Sequence, residues 1–146
     1  MKRHDALIPL SRDHHEALIL SRLIQANAPV YKGLPEDHPG KAVYAAQFFK
    51  DHLVEHFREE ESVFVLAKGT SDEMDGILNE LTGEHDRLTK LFNSIPTSSN
   101  LEGDLDILGK FLESHIRKEE RILFPMMQEQ LSDKTLDSIA TLTNRV

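Results

Sequence analysis

Cysteine is absent from the 146 residues of the chain. Its absence excludes disulfides, zinc–thiolate sites, iron–sulfur clusters and thiol redox chemistry. Any bound metal would therefore have to be held by imidazole and carboxylate groups. Eight histidines are present, so imidazole is available and its placement needs an explanation.

Basic residues and long apolar runs are also scarce. The chain has 17 lysines and arginines against 25 acidic residues, a net charge of −8. This balance disfavours nucleic acid as a partner, because phosphate affinity depends on clustered basic side chains. No run approaches the about 18 apolar residues of a membrane span, and no signal-peptide pattern is visible. We therefore expect a cytoplasmic protein without a membrane segment, folded as a single domain over residues 1–146.

One nine-residue pattern occurs twice, at His56 and again at His115. In both copies a glutamate follows the histidine four positions later, as Glu60 and Glu119. Positions i and i+4 lie on one face of an α-helix, so each copy directs an imidazole and a carboxylate the same way. Two such helices facing each other would form a site suited to metal.

A second repeat relates the segments that precede these copies. Leu10–His14 and Leu81–His85 both read leucine, hydroxyl residue, variable residue, acid, histidine. This repeat and the apolar stripe of the first helix select His14 over His15, which lies about 100° further round the helix. The predicted inward-facing set is His14, His56, Glu60, His85, His115 and Glu119. Four imidazoles and two carboxylates suit two metal ions, and nitrogen and oxygen ligands suit iron, manganese or zinc.

Other interpretations of these residues stay open. Without metal, each buried unpaired carboxylate would cost several kcal/mol, unless charges pair, as Glu60 could with protonated His56. Glu61 and Glu120 are predicted to be solvated charges, although local rotation of their helices would make them the ligands. His52, one turn before His56, is predicted to be a hydrogen-bond partner of the site, a third ligand from its helix, or a histidine near the site mouth.

Apolar periodicity predicts long amphipathic helices in the first half of the chain. The first helix is expected to begin with Ser11 as its N-cap and to fade near Asn27. A loop rich in proline and glycine follows at 28–40, and the second helix is predicted over 41–67.

In the second half of the chain, the same periodicity predicts two further long helices and a short last helix. Thr70 is expected to cap the third helix, which Pro96 ends, and Ser99 to cap the fourth. Pro125 should kink or end the fourth helix, and Ser132 can cap the short last helix. The predicted fold is all-α, an antiparallel up-and-down four-helix bundle with a short C-terminal helix.

These motifs make the sequence similar to the hemerythrin-like, or HHE cation-binding, domain family over roughly residues 7–127. The resemblance rests on Leu10–His14, His56–Glu60, Glu84–His85 and the run from His115 to Pro125. It implies an up-and-down bundle around a non-haem di-iron centre. The four histidines of the inward-facing set would be terminal ligands, its two glutamates would bridge the irons, and water, hydroxide or oxo groups would complete the coordination.

The sequence departs from the oxygen-carrying hemerythrins, which it resembles only in part. They have a fifth histidine one turn from the third-helix histidine, whereas Leu81 and Thr89 stand one turn from His85 here. Their fourth helix has an aspartate five residues after its histidine, whereas His115 has Glu119 at four. The pattern is more similar to members with four histidines and two glutamates, linked to iron sensing and to nitrosative or oxidative stress. The cysteine-bearing segment of the iron–sulfur repair relatives is missing.

The leading hypothesis is a di-iron protein that binds or senses O2, NO or peroxide, or holds iron, in a stress or iron-homeostasis role. One alternative is a peroxidase- or oxidase-like enzyme at the same centre, with His52 as its acid–base group. The other is an interaction module with a structural or regulatory metal, whose last helix, at 132–142, would dock a protein partner or a second copy.

Overall fold

A computed structural model describes residues 2–144, and this part of the chain is helical without any β-strand. The prediction of an all-α protein is confirmed. The α-helices are α1 Ile8–Leu23, α2 His38–Phe48, α3 Val54–Ala67, α4 Asp72–Ser94, α5 Leu101–Lys118, α6 Phe124–Gln130 and α7 Asp133–Thr143. The π-helical segments Phe49–Leu53 and Glu119–Leu123 join α2 to α3 and α5 to α6, and a 3₁₀ turn at Ile95–Thr97 follows α4.

The buried side chains form two apolar clusters separated by a polar layer. The first apolar cluster is built around Leu7, Leu10, Val63, Phe64, Leu81, Leu123 and Phe124. The second apolar cluster is built around Ala17, Leu20, Phe49, Phe57, Leu88, Leu112 and Ile116. Along α1 and α4 the first cluster precedes a buried histidine and the second follows it. Along the runs from α2 to α3 and from α5 to α6 the second cluster begins before the histidine, and the first cluster lies after it. The helices therefore bring their histidines to one level of the core.

Three of the predicted N-caps are wrong. Helix α1 begins at Ile8 without a side-chain cap, and Ser11 lies inside it. Ser71 rather than Thr70 caps α4, with its Oγ accepting a hydrogen bond from the Met74 N–H at 3.0 Å. Because neighbouring hydroxyl residues offer the same acceptor, the sequence does not choose between them.

The cap of α5 is also displaced by one residue, whereas that of α7 matches the prediction. Asn100 rather than Ser99 caps α5, its Oδ1 accepting from the Gly103 N–H at 3.3 Å. Ser132 caps α7 as predicted, its Oγ accepting from the Thr135 N–H at 3.1 Å. Asparagine and serine are equally good N-caps, so the residue type alone does not tell which of Ser99 and Asn100 caps α5.

The second predicted helix, over 41–67, is longer and less regular than expected. It begins at His38, within the predicted loop, because Asp37 accepts a hydrogen bond from the Gly40 N–H and Pro39 fits the first turn of a helix. The π-helical segment Phe49–Leu53 inserts before α3. Such segments are rare and often lie at functional sites.

Pro125 does not end the helix, because α6 continues to Gln130; the change in helical hydrogen bonding lies before it. The segment Glu119–Leu123 is π-helical, and the N–H of Phe124 donates to the carbonyl of Glu119. Pro125 has no N–H with which to continue this pattern to the carbonyl of Glu120. That carbonyl instead accepts a hydrogen bond from Nη2 of Arg3 at 2.8 Å.

Helix α7 folds back on the core. Leu136 and Ile139 are buried in the first apolar cluster, and the Thr143 hydroxyl donates to the carbonyl of Ala6 at 3.1 Å. The last helix was predicted to dock a partner, but the chain itself largely covers the apolar side of this helix, on which Leu142 is 41% exposed.

Among the helices of residues 2–144, none has the length and apolar character that crossing a bilayer requires.

Candidate metal centre

The six residues of the predicted inward-facing set lie together in the polar layer. All are buried, with exposed fractions of 5% or less. They come from four helical runs: His14 from α1, the His56–Glu60 pair from α3, His85 from α4, and the His115–Glu119 pair from the end of α5 and the π-helical segment after it. The neighbouring His15 is exposed.

The six residues form two overlapping groups, each with the composition of a metal site. The first ligand cluster is His14, His56, Glu60 and Glu119, and the second ligand cluster is Glu60, His85, His115 and Glu119. In each cluster one ligand atom per residue lies within 4.8 Å of all the others. Both glutamates belong to both clusters.

The carboxylate of Glu60 spans the two clusters. Its Oε2 lies 3.2 Å from Nε2 of His14 and 3.1 Å from Nε2 of His56, whereas its Oε1 lies 3.1 Å from Nε2 of His85. Each oxygen thus faces the histidines of a different cluster. Glu119 also touches both, since its Oε1 lies 3.2 Å from His14 Nε2 and 3.3 Å from His115 Nε2.

Several of these close atoms are not hydrogen-bonded. Among the described residues, Nε2 of His56, Nε2 of His115 and both carboxylate oxygens of Glu119 are buried without a hydrogen-bond partner. Buried polar atoms are almost always hydrogen-bonded. These four atoms lie close together, but they form no hydrogen bond with one another. A cation in each ligand cluster would satisfy these atoms, since His56 belongs to one cluster, His115 to the other and Glu119 to both. The donor set, which is nitrogen and oxygen without sulfur, therefore fits a metal ion.

The outer nitrogen of every histidine in the set contacts a second carboxylate. The four distances from Nδ1 to a carboxylate oxygen are 2.6 Å for His14–Glu120, 2.9 Å for His56–Asp13, 2.9 Å for His85–Glu61 and 2.8 Å for His115–Glu84. We call Asp13, Glu61, Glu84 and Glu120 the outer carboxylates. A carboxylate on Nδ1 fixes the tautomer and orientation of the ring, leaving the lone pair of Nε2 free to bind metal.

The outer carboxylates link the helices in a closed ring. Helix α1 supplies Asp13 to a histidine of α3, α3 supplies Glu61 to one of α4, and α4 supplies Glu84 to one of α5. Glu120, just after α5, returns to His14 of α1. Each helical run thus carries one inner histidine and one carboxylate that orients the next.

The prediction of a solvated charge is wrong for Glu120 and holds only in part for Glu61. Glu120 accepts hydrogen bonds from the Ser11 hydroxyl and contacts His14, and its side chain is only 25% exposed. Glu61 is 43% exposed but contacts His85. The sequence carried a signal for the ring, since an acid directly precedes both His14 and His85 and a glutamate directly follows both Glu60 and Glu119.

Charge pairs dominate the electrostatics around Glu60. Burial lowers the pKa of His56, but the charge of Glu60 and the hydrogen bond with Asp13 outweigh it and raise this pKa to about 9. Burial raises the pKa of Glu60, but His56, His14 and His85 together hold it well below its usual range. The pairing of Glu60 with protonated His56 therefore describes the metal-free centre.

The pKa values of His115 and His14 are also raised by neighbouring carboxylates. Although burial lowers the pKa of His115, Glu119 and Glu84 raise it to about 10. The pKa of His14 is also raised well above its usual value, against the effect of burial, by hydrogen bonds with Glu119 and Glu120. Metal binding requires neutral imidazole, so it must displace these protons.

Aromatic rings cover the histidines on both sides of the polar layer. Phe57 stacks on His85 with ring centroids 4.3 Å apart, and Phe64 lies parallel to the same imidazole at 5.9 Å. Phe124 stacks on His14 at 5.8 Å. These rings keep water from the imidazoles and limit their rotation.

A cavity of about 460 Å³ opens beside the first ligand cluster. Its lining includes the buried His56 with its partner Asp13, and also the exposed His15 and His52. The ring of His52 packs 5.0 Å from that of Phe48, and His52 belongs to neither ligand cluster. His52 therefore lies at the mouth of the site, and the interpretation of it as a third ligand from its helix is wrong.

Comparison with known proteins identifies one family. A model of the hemerythrin HHE cation binding domain matches residues 7–127, which include all six inner residues and all four outer carboxylates. No curated protein and no solved structure matches the chain.

Proposed function

Because the chain belongs to the hemerythrin HHE cation-binding domain family, we propose that it is a non-haem di-iron protein that binds or senses a small ligand. The observation that carries this proposal is the pair of overlapping ligand clusters sharing two glutamates. Residues 1–146 would form one such domain, and a cytoplasmic location stays a prediction.

The proposed architecture is an antiparallel up-and-down four-helix bundle closed by α7. Its four members would be α1, the α2–α3 run, α4 and the α5–α6 run. The reversal in the order of the two apolar clusters from one run to the next supports this topology. The ring of outer carboxylates supports it too, because each run orients a histidine of the next.

The proposed ligands are His14, His56, Glu60, His85, His115 and Glu119. The four histidines would bind through Nε2 as terminal ligands, two to each ion, since each ligand cluster contains two of them. Glu60 and Glu119 would bridge the ions. The separate contacts of the two Glu60 oxygens support this role.

Iron is the proposed metal, with manganese or zinc as alternatives that the ligands also suit. Bound iron would supply redox chemistry and open coordination positions for O2, NO or peroxide. The chain would contribute oriented imidazoles, shared carboxylates and aromatic cover. Two cavities lead inward, one to His56 and another, of about 500 Å³, to His85 past Phe57 and Val65.

Elemental analysis of purified protein after anaerobic iron loading tests the proposal. We expect about two irons per chain and a visible charge-transfer band on exposure to air. The double variant His56→Ala, His115→Ala should lose the iron, because each ligand cluster loses one histidine. The matched control His15→Ala, His38→Ala removes two exposed histidines and should keep it. Equal iron in both double variants would refute the ligand assignment.

A second candidate function is a peroxidase- or oxidase-like activity at the same centre. The position of His52 in the cavity beside His56 favours it, because a solvent-accessible imidazole can transfer protons to or from a bound substrate. Repeated consumption of peroxide per iron would support catalysis, and a single equivalent would support sensing. If His52 acts as the acid–base group, His52→Ala should lower turnover ~100-fold, whereas His15→Ala in the same cavity should not.

A further inference from the structure

Two of the outer carboxylates contact a basic side chain through the oxygen that does not face the histidine. Nη2 of Arg3 lies 2.8 Å from the carbonyl oxygen and 3.2 Å from Oε1 of Glu120. Nζ of Lys118 lies 2.5 Å from Oε2 of Glu84 and 3.3 Å from Oε1 of Glu80. A chain of contacts therefore runs from His14 through Glu120 to Arg3, and another runs from His115 through Glu84 to Lys118.

The two paths end on different ligand clusters. Arg3 acts through Glu120 on His14, which belongs only to the first ligand cluster. Lys118 acts through Glu84 on His115, which belongs only to the second. Each cation is thus connected to one of the two metal positions.

Arg3 is fixed at its place by several contacts. Its guanidinium lies 5.2 Å from the ring centre of Phe124, the residue that stacks on His14. Its Nη1 donates to Oε1 of Gln128 at 3.3 Å, and the backbone N–H of His4 donates to the same oxygen. Arg3 lies outside the residues matched by the family model, so the family does not supply its role.

We propose that Arg3 and Lys118 are positioning residues, each of which orients one histidine through its outer carboxylate and thereby strengthens one metal position. This inference rests on the proposed di-metal function. A carboxylate held by a cation keeps one oxygen on the imidazole Nδ1, so the ring cannot rotate away from the metal. Without the cation, Glu84 could turn outward to water, and Glu120 would be restrained only by the Ser11 hydroxyl and His14.

A crossed set of variants tests this inference. His85→Ala leaves the first ligand cluster complete, and His56→Ala leaves the second complete. Arg3→Gln and Lys118→Gln are added to each background, and binding of Co2+ is followed by its visible absorption. We expect Arg3→Gln to weaken Co2+ binding about tenfold in the His85→Ala background only. Tenfold is the lower end of the loss in metal affinity when a hydrogen-bond partner of a ligand is removed. Lys118→Gln should do so in the His56→Ala background only.

Arg121→Gln is the matched control, because it removes one positive charge from an exposed side chain next to Glu120. It should leave both backgrounds unchanged. Equal weakening by Arg3→Gln in both backgrounds, or none in either, would overturn the inference while leaving the di-metal centre intact. Failure of the unmodified protein to bind Co2+ or iron would instead overturn the proposed function and this inference with it.

A second measurement covers the case in which a single-histidine variant does not fold. The otherwise unmodified protein is loaded with ⁵⁷Fe, and Mössbauer spectra of Arg3→Gln and Lys118→Gln are compared. Each variant should shift the quadrupole doublet of one iron, and the two variants should shift different doublets. A shift of both doublets by either variant would contradict the assignment of each cation to one position.

Discussion

The Nδ1 atom of His14 lies 2.6 Å from Oε2 of Glu120, a residue 106 positions later in the chain. This contact closes the ring of carboxylates that surrounds the six inner residues. It also joins the first helix to the π-helical segment after α5, so one pair of side chains links the orientation of a candidate ligand to the packing of the helices.

Replacing Glu120 should weaken metal binding without removing a ligand. Glu120→Ala loosens the orientation of His14, because its ring loses the carboxylate on Nδ1 and keeps only the stacking contact with Phe124. We expect metal affinity to fall 10- to 100-fold, about the effect of losing an outer partner. Competition with a chelator measures it. Glu129→Ala, an exposed glutamate of α6, is the control and should leave the affinity unchanged.

The two ligand clusters predict different stoichiometries for two single variants. Glu60 belongs to both clusters, so Glu60→Ala should reduce retention of both ions. His85 belongs only to the second, so His85→Ala should leave about one iron per chain. Iron analysis after gel filtration distinguishes them. Retention of two irons by Glu60→Ala would contradict the shared role of that glutamate.

Metal binding should release protons at neutral pH. The pKa values of about 9 for His56 and about 10 for His115 mean that both imidazoles are protonated at pH 7 in the metal-free protein. Since metal binds neutral imidazole, the apparent affinity should rise as the pH is raised from 6 toward about 9. Calorimetry in buffers of different ionisation enthalpy counts the protons. Absence of any buffer dependence would show that neither histidine loses a proton on binding.

The metal-free protein should lose stability as the pH rises. A histidine whose folded pKa lies above its ordinary value of 6.5 stabilises the fold fully below pH 6.5, and this contribution disappears as the pH rises through about 9 for His56 and about 10 for His115. Glu60, whose pKa is lowered, acts in the opposite direction and stabilises the fold above its ordinary value of 4.5. Urea unfolding of chelator-treated protein should therefore show greater free energy of unfolding at pH 6 than at pH 10.

Adding metal should restore the stability that the metal-free protein loses at high pH. At a free metal concentration 100 times the dissociation constant, binding to the folded state alone adds about 2.7 kcal/mol. For a domain of this size that corresponds to a rise in Tm of roughly 5–10 °C. Thermal unfolding at pH 9 with and without iron measures the difference. The His56→Ala, His115→Ala variant should show no such rise.

Repetition made the inner set predictable from the sequence. The two His-x-x-x-Glu copies and the matched segments before them gave four buried histidines and two buried glutamates, and the preference for His14 over His15 matches their burial and exposure. Helical periodicity carries this information because every one of these residues must face inward on its own helix.

The ring of outer carboxylates was missed because its contacts run between helices. Glu61 and Glu120 follow the inward glutamates by one residue, which turns them about 100° away from the axis. Local periodicity therefore assigns them to the solvent, although this angle lets them reach a histidine on the neighbouring helix. The π-helical segment Phe49–Leu53 was missed for a different reason: it contains no proline or glycine to mark a change in hydrogen bonding.

The most direct test of the six-ligand, two-metal centre is an anomalous difference map at the iron edge from crystals of the iron-loaded protein. We predict two peaks, one bound by Nε2 of His14 and His56 and the other by Nε2 of His85 and His115, with Glu60 and Glu119 reaching both. The Nδ1 atoms should still face the outer carboxylates. A single peak, or peaks coordinated by Glu61 and Glu120 in place of the inner glutamates, would contradict it.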